Sequence, residues 1–269
     1  MDLLIENASL LQAVVLLCAL SAVMFWERVL PLLEDHGTDA VRPAGNFGLL
    51  LINQALPYLL VPMSTAISAW AAAHLGYGIL RTLDLPWGLG VLLSFVALDA
   101  TAWWVHRAMH SHAWLWRVHR VHHSDLQFDC SLAFRFHPLE AALQALAATA
   151  VVILLGLPVE GVLIASLVTA MHNVFVHANA TLGTRVERLL RALMVTPDLH
   201  RVHHALEMDC SMSNFGITLS WWDRMTGHYR LPVGHGVALF GLAEDRAPGR
   251  LTLTRLLAMP LRRPLTEAP

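Results

Sequence analysis

Long runs without charged residues, separated by short polar breaks, dominate the first two thirds of the chain. The first run extends from Asn7 to Trp26 and is long enough to cross a bilayer as a helix. It lacks the basic flank of a secretory signal peptide, which favours a membrane helix. The second run, from Gly45 to Leu80, is longer than one span and contains Pro57 and Pro62. One tilted, kinked span and a tight re-entrant pair both fit this stretch.

Three further apolar runs follow, namely Leu85 to Val105, Ala141 to Leu157 and Val162 to Val176. The last two are joined by Gly156-Leu157-Pro158, which is too short for anything but a turn between antiparallel helices. The pattern therefore predicts a helical hairpin whose two open ends lie on the same side.

Composition places these runs in a membrane. Hydrophobic residues make up 56% of the 269 residues, and charged residues only 14%, against about 25% in a typical soluble domain. The net charge of -2 is not that of a nucleic-acid-binding surface. The cysteines, Cys18, Cys130 and Cys210, form no C-x-x-C pair, so neither a disulfide framework nor a thiolate metal site is indicated.

Histidines are concentrated in the stretch HRAMHSHAWLWRVHRVHH, from His106 to His123. If the stretch is helical, the spacing puts His106 and His110 on one face and groups His119, His122 and His123. The five letters HRVHH recur from His200 to His204, and Asp-Cys-Ser follows each copy. Since neutral imidazole is a common metal ligand, the pattern indicates two similar half-sites of one metal centre.

Asp99 interrupts an apolar run seven residues before His106, two helical turns away on the same face. We expect it to accept a hydrogen bond from a ligating imidazole and to fix the tautomer of that ring. The alternative is an interfacial Asp paired with an Arg.

The predicted hairpin brings His137 to the same end as His172 and His177. His172 and His177 are about 140° apart on a regular helix and face together only through a π-bulge. His137, in Arg-Phe-His-Pro, is a candidate either for the site or for capping the next helix. We expect the isolated histidines to be ordinary polar residues: His36, His74, His112, His228 and His235.

Arginine placement predicts the orientation. All 18 basic residues are Arg. The N-terminal tail and the hairpin turn have none, whereas the histidine side holds Arg28, Arg42, Arg107, Arg117, Arg120, Arg135 and the Arg-rich C-terminal region. The positive-inside rule makes that side cytoplasmic. Thr184 to Val195 reads as a basic amphipathic helix, either at the membrane surface or packed in a cytosolic cap. The residues from Leu231 onward carry no recognisable motif.

Six segments together resemble the fatty acid hydroxylase/sterol desaturase superfamily over roughly residues 90 to 230. These are HRAMH, HRVHHS, RFHPLE, FVHAN, TPDLHRVHH and WDRMTG. The resemblance implies an all-α integral membrane protein with about four to five transmembrane helices and a cytosolic helical cap that carries the histidine boxes. The implied domains are residues 1–84 with N-terminal transmembrane segments, residues 85–230 with the catalytic domain, and residues 231–269 as a C-terminal tail.

The resemblance also implies a membrane-bound non-haem oxygenase with two iron ions that hydroxylates or desaturates a lipid, with O2 as co-substrate. We expect catalytic roles for Asp99, His137 and Asn179. The implied metal ligands are His106, His110, His119, His122, His123, His172, His177, His200, His203 and His204.

Partners follow from this chemistry. An apolar substrate would enter from the bilayer, and interfacial tryptophans, namely Trp103, Trp104, Trp114 and Trp116, are candidates for the entrance. The sequence holds no G-x-G-x-x-G fingerprint and no cytochrome or ferredoxin segment. An external reductase with a ferredoxin or a cytochrome b5-like carrier is therefore expected as electron donor.

Two other classes remain open. A zinc-dependent membrane hydrolase would need a Glu base near its ligands, and Glu207 is the only near candidate. A histidine-rich metal-binding or transport protein would place ionisable residues along several spans at midplane depth, whereas here they collect at one interface.

Overall fold

The computed structural model describes residues 8–33, 41–59, 65–232, 239–244, 246–247 and 251–263. These residues form helices and connecting turns without a named strand, so the predicted all-α class is confirmed. The helices are α1 (Ala8–Val29), α2 (Val41–Leu59), α3 (Thr65–Leu75), α4 (Trp87–Ser111), α5 (Ala113–His123), α6 (Pro138–Leu155), α7 (Val159–Val176), α8 (Thr184–Leu190), α9 (Pro197–His203), α10 (Met208–Ser211), α11 (Trp221–Thr226) and α12 (Leu253–Ala258). Short 3-10 helices span Ile79–Thr82, Cys130–Phe134 and Met259–Leu261.

Four helices are long and apolar enough to cross a membrane. They are Leu10–Val29 within α1, and the whole of α4, α6 and α7. At most a third of the apolar window in each is buried inside the protein. Exposed apolar surface on this scale is stable only against lipid, so the chain is a membrane protein.

The stretch from Gly45 to Leu80 is divided between α2 and α3, and Pro57 lies within α2. Pro62 lies outside the described residues. Neither helix is among the four that meet the length and hydropathy of a span. The described residues of this stretch therefore form two helices, α2 and α3, and α3 packs against α6 and α7.

The hairpin between α6 and α7 is confirmed. Gly156 ends α6 in the left-handed conformation, with φ at 69°. A Cβ at this position would lie 2.8 Å from the carbonyl oxygen of Tyr77 and 2.9 Å from Cα of Gly78. Glycine therefore permits both the turn and its close contact with the segment before α4.

The histidine-rich stretch from His106 to His123 is helical, as the spacing argument required, but it is divided into two helices. His112 is extended, with φ at -125° and ψ at 119°, and separates α4 from α5. Its ring Nδ1 lies 3.0 Å from the carbonyl oxygen of Ala108 in the last turn of α4. After this break α5 packs against α4, which allows the later histidines to face the earlier ones.

The predicted amphipathic helix is shorter than expected, because α8 ends at Leu190 and a turn follows. Glu187 is buried and accepts a hydrogen bond of 2.6 Å from the Thr196 hydroxyl. Leu189, by contrast, is 72% exposed. One side of α8 thus packs on the rest of the protein, while the other side exposes apolar residues.

The residues predicted as a C-terminal tail pack on the core in the part that is described. Leu242, Leu251, Leu256 and Met259 form one cluster with residues of α2 and α5. The buried Arg120 guanidinium donates hydrogen bonds to the carbonyl oxygens of Met259 and Arg262, at 2.8 and 2.7 Å. This segment therefore holds the α5 histidines in place from outside.

Candidate metal centre

Nine buried histidines come together in two adjacent groups. Within each group, one ring nitrogen per residue lies within 4.8 Å of the others. The first group contains His106, His110, His119, His123 and His203, and the second contains His122, His177, His200 and His204.

Each HRVHH segment serves both groups. On α5, His119 and His123 are one turn apart and face the first group, while His122 faces the second. At α9 the division is reversed, because His200 and His204 face the second group and His203 faces the first. Each copy of HRVHH thus supplies two histidines to one group and one histidine to the other.

Backbone carbonyls orient three of the rings. Nδ1 of His106 lies 2.8 Å from the Phe215 oxygen, Nδ1 of His177 lies 2.7 Å from the Asn173 oxygen, and Nδ1 of His203 lies 2.8 Å from the Ser213 oxygen. Because a carbonyl only accepts, these Nδ1 atoms carry the proton. In the neutral ring Nε2 is then an unprotonated lone pair, which is the form that binds a metal.

A carboxylate orients a fourth ring. Nδ1 of His119 donates to Oε1 of Glu140 across 2.7 Å, and both side chains are buried. Glu140 lies in the first turn of α6 and is fully buried. Sequence reasoning did not assign this residue, although it belongs to the RFHPLE segment; only its contact with His119 reveals its role.

The ring nitrogens that face one another fit a metal. Nε2 of His106 lies 3.1 Å from Nε2 of His119, and Nε2 of His177 lies 2.9 Å from Nε2 of His200. For the first pair both Nδ1 atoms are donors, so the Nε2 lone pair of each neutral ring is free, and one cation beside the two nitrogens can bind both. Nε2 of His110, His123 and His203 is buried without a hydrogen-bond partner, as expected for nitrogens that ligate an ion.

Burial keeps these rings neutral. Removal from water lowers the pKa of His177 to about 4 and that of His203 to about 3. The pKa of His200 and of His204 is also well below the ordinary value, through burial and the neighbouring histidines. At neutral pH these four rings are therefore in the protonation state that metal binding requires.

Asp99 has partners other than the imidazole that we expected. Its carboxylate accepts hydrogen bonds from the backbone amides of Thr218 and Leu219, at 2.9 and 3.2 Å, and from Trp222 Nε1 at 2.8 Å. Seven residues of helix separate Asp99 from His106 by about 10 Å along the axis, which is beyond hydrogen-bond reach. Asp99 fastens the segment before α11 to α4.

His137 and Asn179 also make structural contacts. His137 Nδ1 accepts from the Leu139 amide at 3.1 Å and caps α6, while its Nε2 lies 3.2 Å from the Leu257 oxygen. The Asn179 side chain exchanges two hydrogen bonds with the backbone of Leu33, at 2.9 and 3.0 Å. Neither residue belongs to the two histidine groups, so the catalytic roles that we expected gain no support from their positions.

His172 lies outside both groups. It sits on α7 with its ring centroid 5.4 Å from that of Phe175 and bonds to the backbone of Val195. The angular separation from His177 around the helix accounts for this position. Of the isolated histidines, His74, His112 and His228 also lie outside the groups, whereas His36 and His235 lie outside the described residues.

A cavity of about 560 Å³ extends from the histidines between α4, α6 and α7. Its histidines are His106, His119, His122, His177 and His200. The four tryptophans proposed for an entrance are placed elsewhere. Trp103 is buried, and its indole N–H donates a hydrogen bond to Asp223. Trp104 and Trp114 are exposed. Trp116 lies against the rings of His110 and His123.

Comparison with known proteins identifies relatives that act on lipids. The chain is 29% identical to the ornithine lipid hydroxylase OlsE of Rhizobium tropici over 166 residues, 62% of this chain and 49% of that protein. It is 29% identical to the alkylglycerol monooxygenase of Danio rerio over 65% of this chain and 37% of the relative. It is 26% identical to the Delta(7)-sterol 5(6)-desaturase erg3B of Aspergillus fumigatus over 68% of this chain and 53% of the relative.

The matches thus span about half the length of these relatives or less. No solved structure gives a significant match. The sequence model of the fatty acid hydroxylase family matches residues 91–228, just over half of the chain, and this segment contains all nine grouped histidines. The chain therefore belongs to the fatty acid hydroxylase family.

Proposed function

We propose that this protein is a membrane-bound oxygenase that hydroxylates an alkyl carbon of a lipid, using two iron ions held by the two histidine groups. The observation that carries the proposal is the position of the facing Nε2 atoms. They belong to histidines that line a cavity large enough for an alkyl chain, namely His106, His119, His177 and His200. Membership of the family and the names of the relatives support the same activity.

The cavity suits an aliphatic chain in size and lining. Small side chains of α6 and α7 line it, including Ala141, Ala145, Ala148, Ala165 and Ala170. Along α7 the lining extends from Ala165 to His177, about 18 Å at the rise of an α-helix. Because α4, α6 and α7 are all apolar enough to lie in the membrane, a lipid reaches the histidines without crossing water.

Each side chain around the metals has a defined part. The first group offers five imidazoles and the second four. The carbonyl oxygens of Phe215, Asn173 and Ser213 hold the protons at Nδ1, and Glu140 does the same for His119. Iron bound here would supply the activation of dioxygen that attack on an unactivated C–H bond requires.

The overall reaction consumes dioxygen, two electrons and two protons. One oxygen atom is inserted into a C–H bond of the lipid to give an alcohol, and the other leaves as water. The electrons come from an external donor, which we propose to be a reductase with a ferredoxin or a cytochrome b5-like carrier. Desaturation of the same chain would remove two hydrogens and release two waters, and the erg3B relative keeps this outcome as the alternative.

We further propose that the site lies on the cytoplasmic face of a multi-pass membrane protein. Four arginines at the histidine end of the helices, Arg107, Arg117, Arg120 and Arg135, support this orientation through the positive-inside rule. At the opposite end of α6 and α7, Arg81 lies against the turn at Gly156, so the histidine side carries more arginine than the turn side.

The decisive experiment measures metal and oxygen chemistry in the same preparation. Detergent-purified protein is analysed for metal, then reduced without air and exposed to ¹⁸O2 in the presence of ornithine lipids, alkylglycerols or sterols. Two irons per chain and a lipid product that has gained one ¹⁸O atom would support the proposal. Stable zinc at one per chain, with no oxygen consumption after iron reconstitution, would favour a hydrolase instead.

A cavity variant tests the route of the lipid. Ala170→Phe fills the larger cavity near the histidines, and we expect the KM for a long-chain substrate to rise at least tenfold while the iron content stays the same. Val168→Phe is the matched control, since Val168 is 39% exposed on α7 and does not line the cavity. Equal effects of the two variants would contradict this route.

A further inference from the structure

A second, smaller cavity reaches the histidine cluster from another side. Its volume is about 170 Å³, and three grouped histidines line it, namely His110, His123 and His204. The other lining residues are Trp116, Ala205, Leu206, Met208, Ser211, Gly241, Leu242 and Ala243. The larger cavity is lined by five other members of the two groups. No grouped histidine lines both cavities, so each cavity has its own access to the cluster.

The smaller cavity is lined mainly by residues that follow α9 in the chain, namely Ala205, Leu206, Met208, Ser211 and Gly241 to Ala243. Met208 and Ala243 line it and are exposed. Beside them, Glu207 and Asp209 are also exposed. Carboxylates at this position face water rather than lipid, because a charged side chain is costly in the hydrocarbon region.

The wall of this cavity is built by the C-terminal segment. The Leu206 amide donates to the Leu239 oxygen at 2.6 Å, and Ala205 pairs with Phe240. Glu244 forms an ion pair of 3.1 Å with the buried Arg120 of α5. The segment that we expected to be a tail without a motif thus encloses one approach to the histidines.

Size and polarity limit what this cavity can hold. It has room for several waters or a small ligand, and it has less than a third of the volume of the larger cavity. Nε2 of His110 and Nε2 of His123 are buried without a hydrogen-bond partner. Both rings line the cavity, so a small ligand in it lies against two histidines of the first group.

We propose that the smaller cavity is the binding site and entrance for a small water-borne ligand of the metals, namely dioxygen, or an anion such as azide in its place. This inference rests on the proposed metal centre. Since different histidines line the two cavities, a lipid that fills the larger cavity leaves the smaller one free. The two reactants thereby reach the cluster by separate routes.

Azide binding to the iron-loaded protein tests this assignment. Ala243→Trp places a large side chain at the exposed mouth of the smaller cavity. Glu207→Trp adds the same side chain at an exposed neighbouring position that does not line it. Ala170→Phe narrows the larger cavity. The iron content of each variant is measured first, and the rate of azide binding is then followed by absorbance in stopped flow.

We expect Ala243→Trp to slow azide binding at least tenfold, and we expect Glu207→Trp and Ala170→Phe to leave the rate unchanged. An unchanged rate in an iron-loaded Ala243→Trp protein would overturn the inference while leaving the proposed function intact. Slower binding in Ala170→Phe alone would assign the entrance to the larger cavity and also overturn it. Failure of the wild-type protein to bind iron would instead overturn the proposed function on which the inference rests.

Discussion

Nδ1 of His119 lies 2.7 Å from Oε1 of Glu140, and both side chains are buried. The two residues belong to different helices, α5 and α6, so their contact ties the first histidine group to the α6–α7 hairpin. Nε2 of the same His119 ring lies 3.1 Å from Nε2 of His106. Glu140 therefore sets the direction in which His119 presents its free lone pair.

We predict that Glu140→Gln lowers metal affinity or turnover by about 10- to 100-fold, the usual range for loss of a carboxylate behind a ligating histidine. The fold should be retained, since the amide has the shape of the carboxylate. Glu160→Gln, in the first turn of α7 at the other end of the hairpin, is the matched control. Unchanged metal affinity and turnover in Glu140→Gln would contradict the role of the carboxylate.

We predict that His203→Ala and His122→Ala each reduce bound metal and abolish turnover, because they remove one imidazole from the first and the second group respectively. Elemental analysis of purified variants measures the metal. If each group holds its own ion, each variant should lose about one metal per chain. Retention of both metals and of activity in either variant would show that the ligand set is wrong.

We predict that His172→Ala retains the full metal content of the wild-type protein. His172 lies outside both histidine groups and bonds to the backbone of Val195, so its removal should affect packing and lower the melting temperature without releasing metal. The same elemental analysis applies, with His122→Ala as the positive control. Loss of a metal from His172→Ala would restore this residue to the ligand set.

We predict that Asp99→Asn lowers stability more than it changes metal binding. The carboxylate accepts three hydrogen bonds from the segment before and within α11, and an amide in its place can accept fewer and leaves buried donors unpaired, at a cost of about 1–3 kcal/mol. Thermal unfolding in detergent measures the loss. A stable Asp99→Asn protein that has lost turnover alone would instead support the catalytic role predicted from the sequence.

Acid should release metal only together with unfolding. Burial lowers the pKa of His177 to about 4 and that of His203 to about 3, below the value of about 6.5 in an unfolded chain. The unfolded chain therefore takes up protons first as the pH falls below about 6.5, and the free energy of unfolding decreases from there downward.

Metal content and far-ultraviolet circular dichroism, measured in steps from about pH 7.5 to about pH 4, check this prediction. We expect metal to be retained at about pH 6 and to be lost over the same pH range as the helical signal. Loss of metal near pH 6.5 from protein with an intact helical signal would contradict it.

The local features of this chain could be predicted from the sequence. The apolar runs indicated the helices that became α1, α4, α6 and α7, because hydropathy and length alone decide whether a helix can cross a bilayer. The turn at Gly156 followed from three adjacent residues. The grouping of His119, His122 and His123 followed from helical spacing, which is a property of a single helix.

Contacts between distant parts of the chain were decided only by the tertiary structure. One extended residue, His112, turns α5 back on α4, and no periodic pattern marks such a residue. Glu140 meets His119 across 21 positions, and Asp99 meets Thr218 across 119. Asn179 was expected to have a catalytic role, yet its side chain bonds to the backbone of Leu33.

The two cavities likewise combine a local feature that the sequence predicts with distant contacts that it does not. The spacing of HRVHH determined that each copy presents histidines in two directions, because side chains three and four residues apart lie on neighbouring parts of one helix surface. Which of these histidines line the larger cavity and which line the smaller one depends on packing that the spacing does not contain. That packing comes from α6 and α7 on one side and from residues 239–244 on the other.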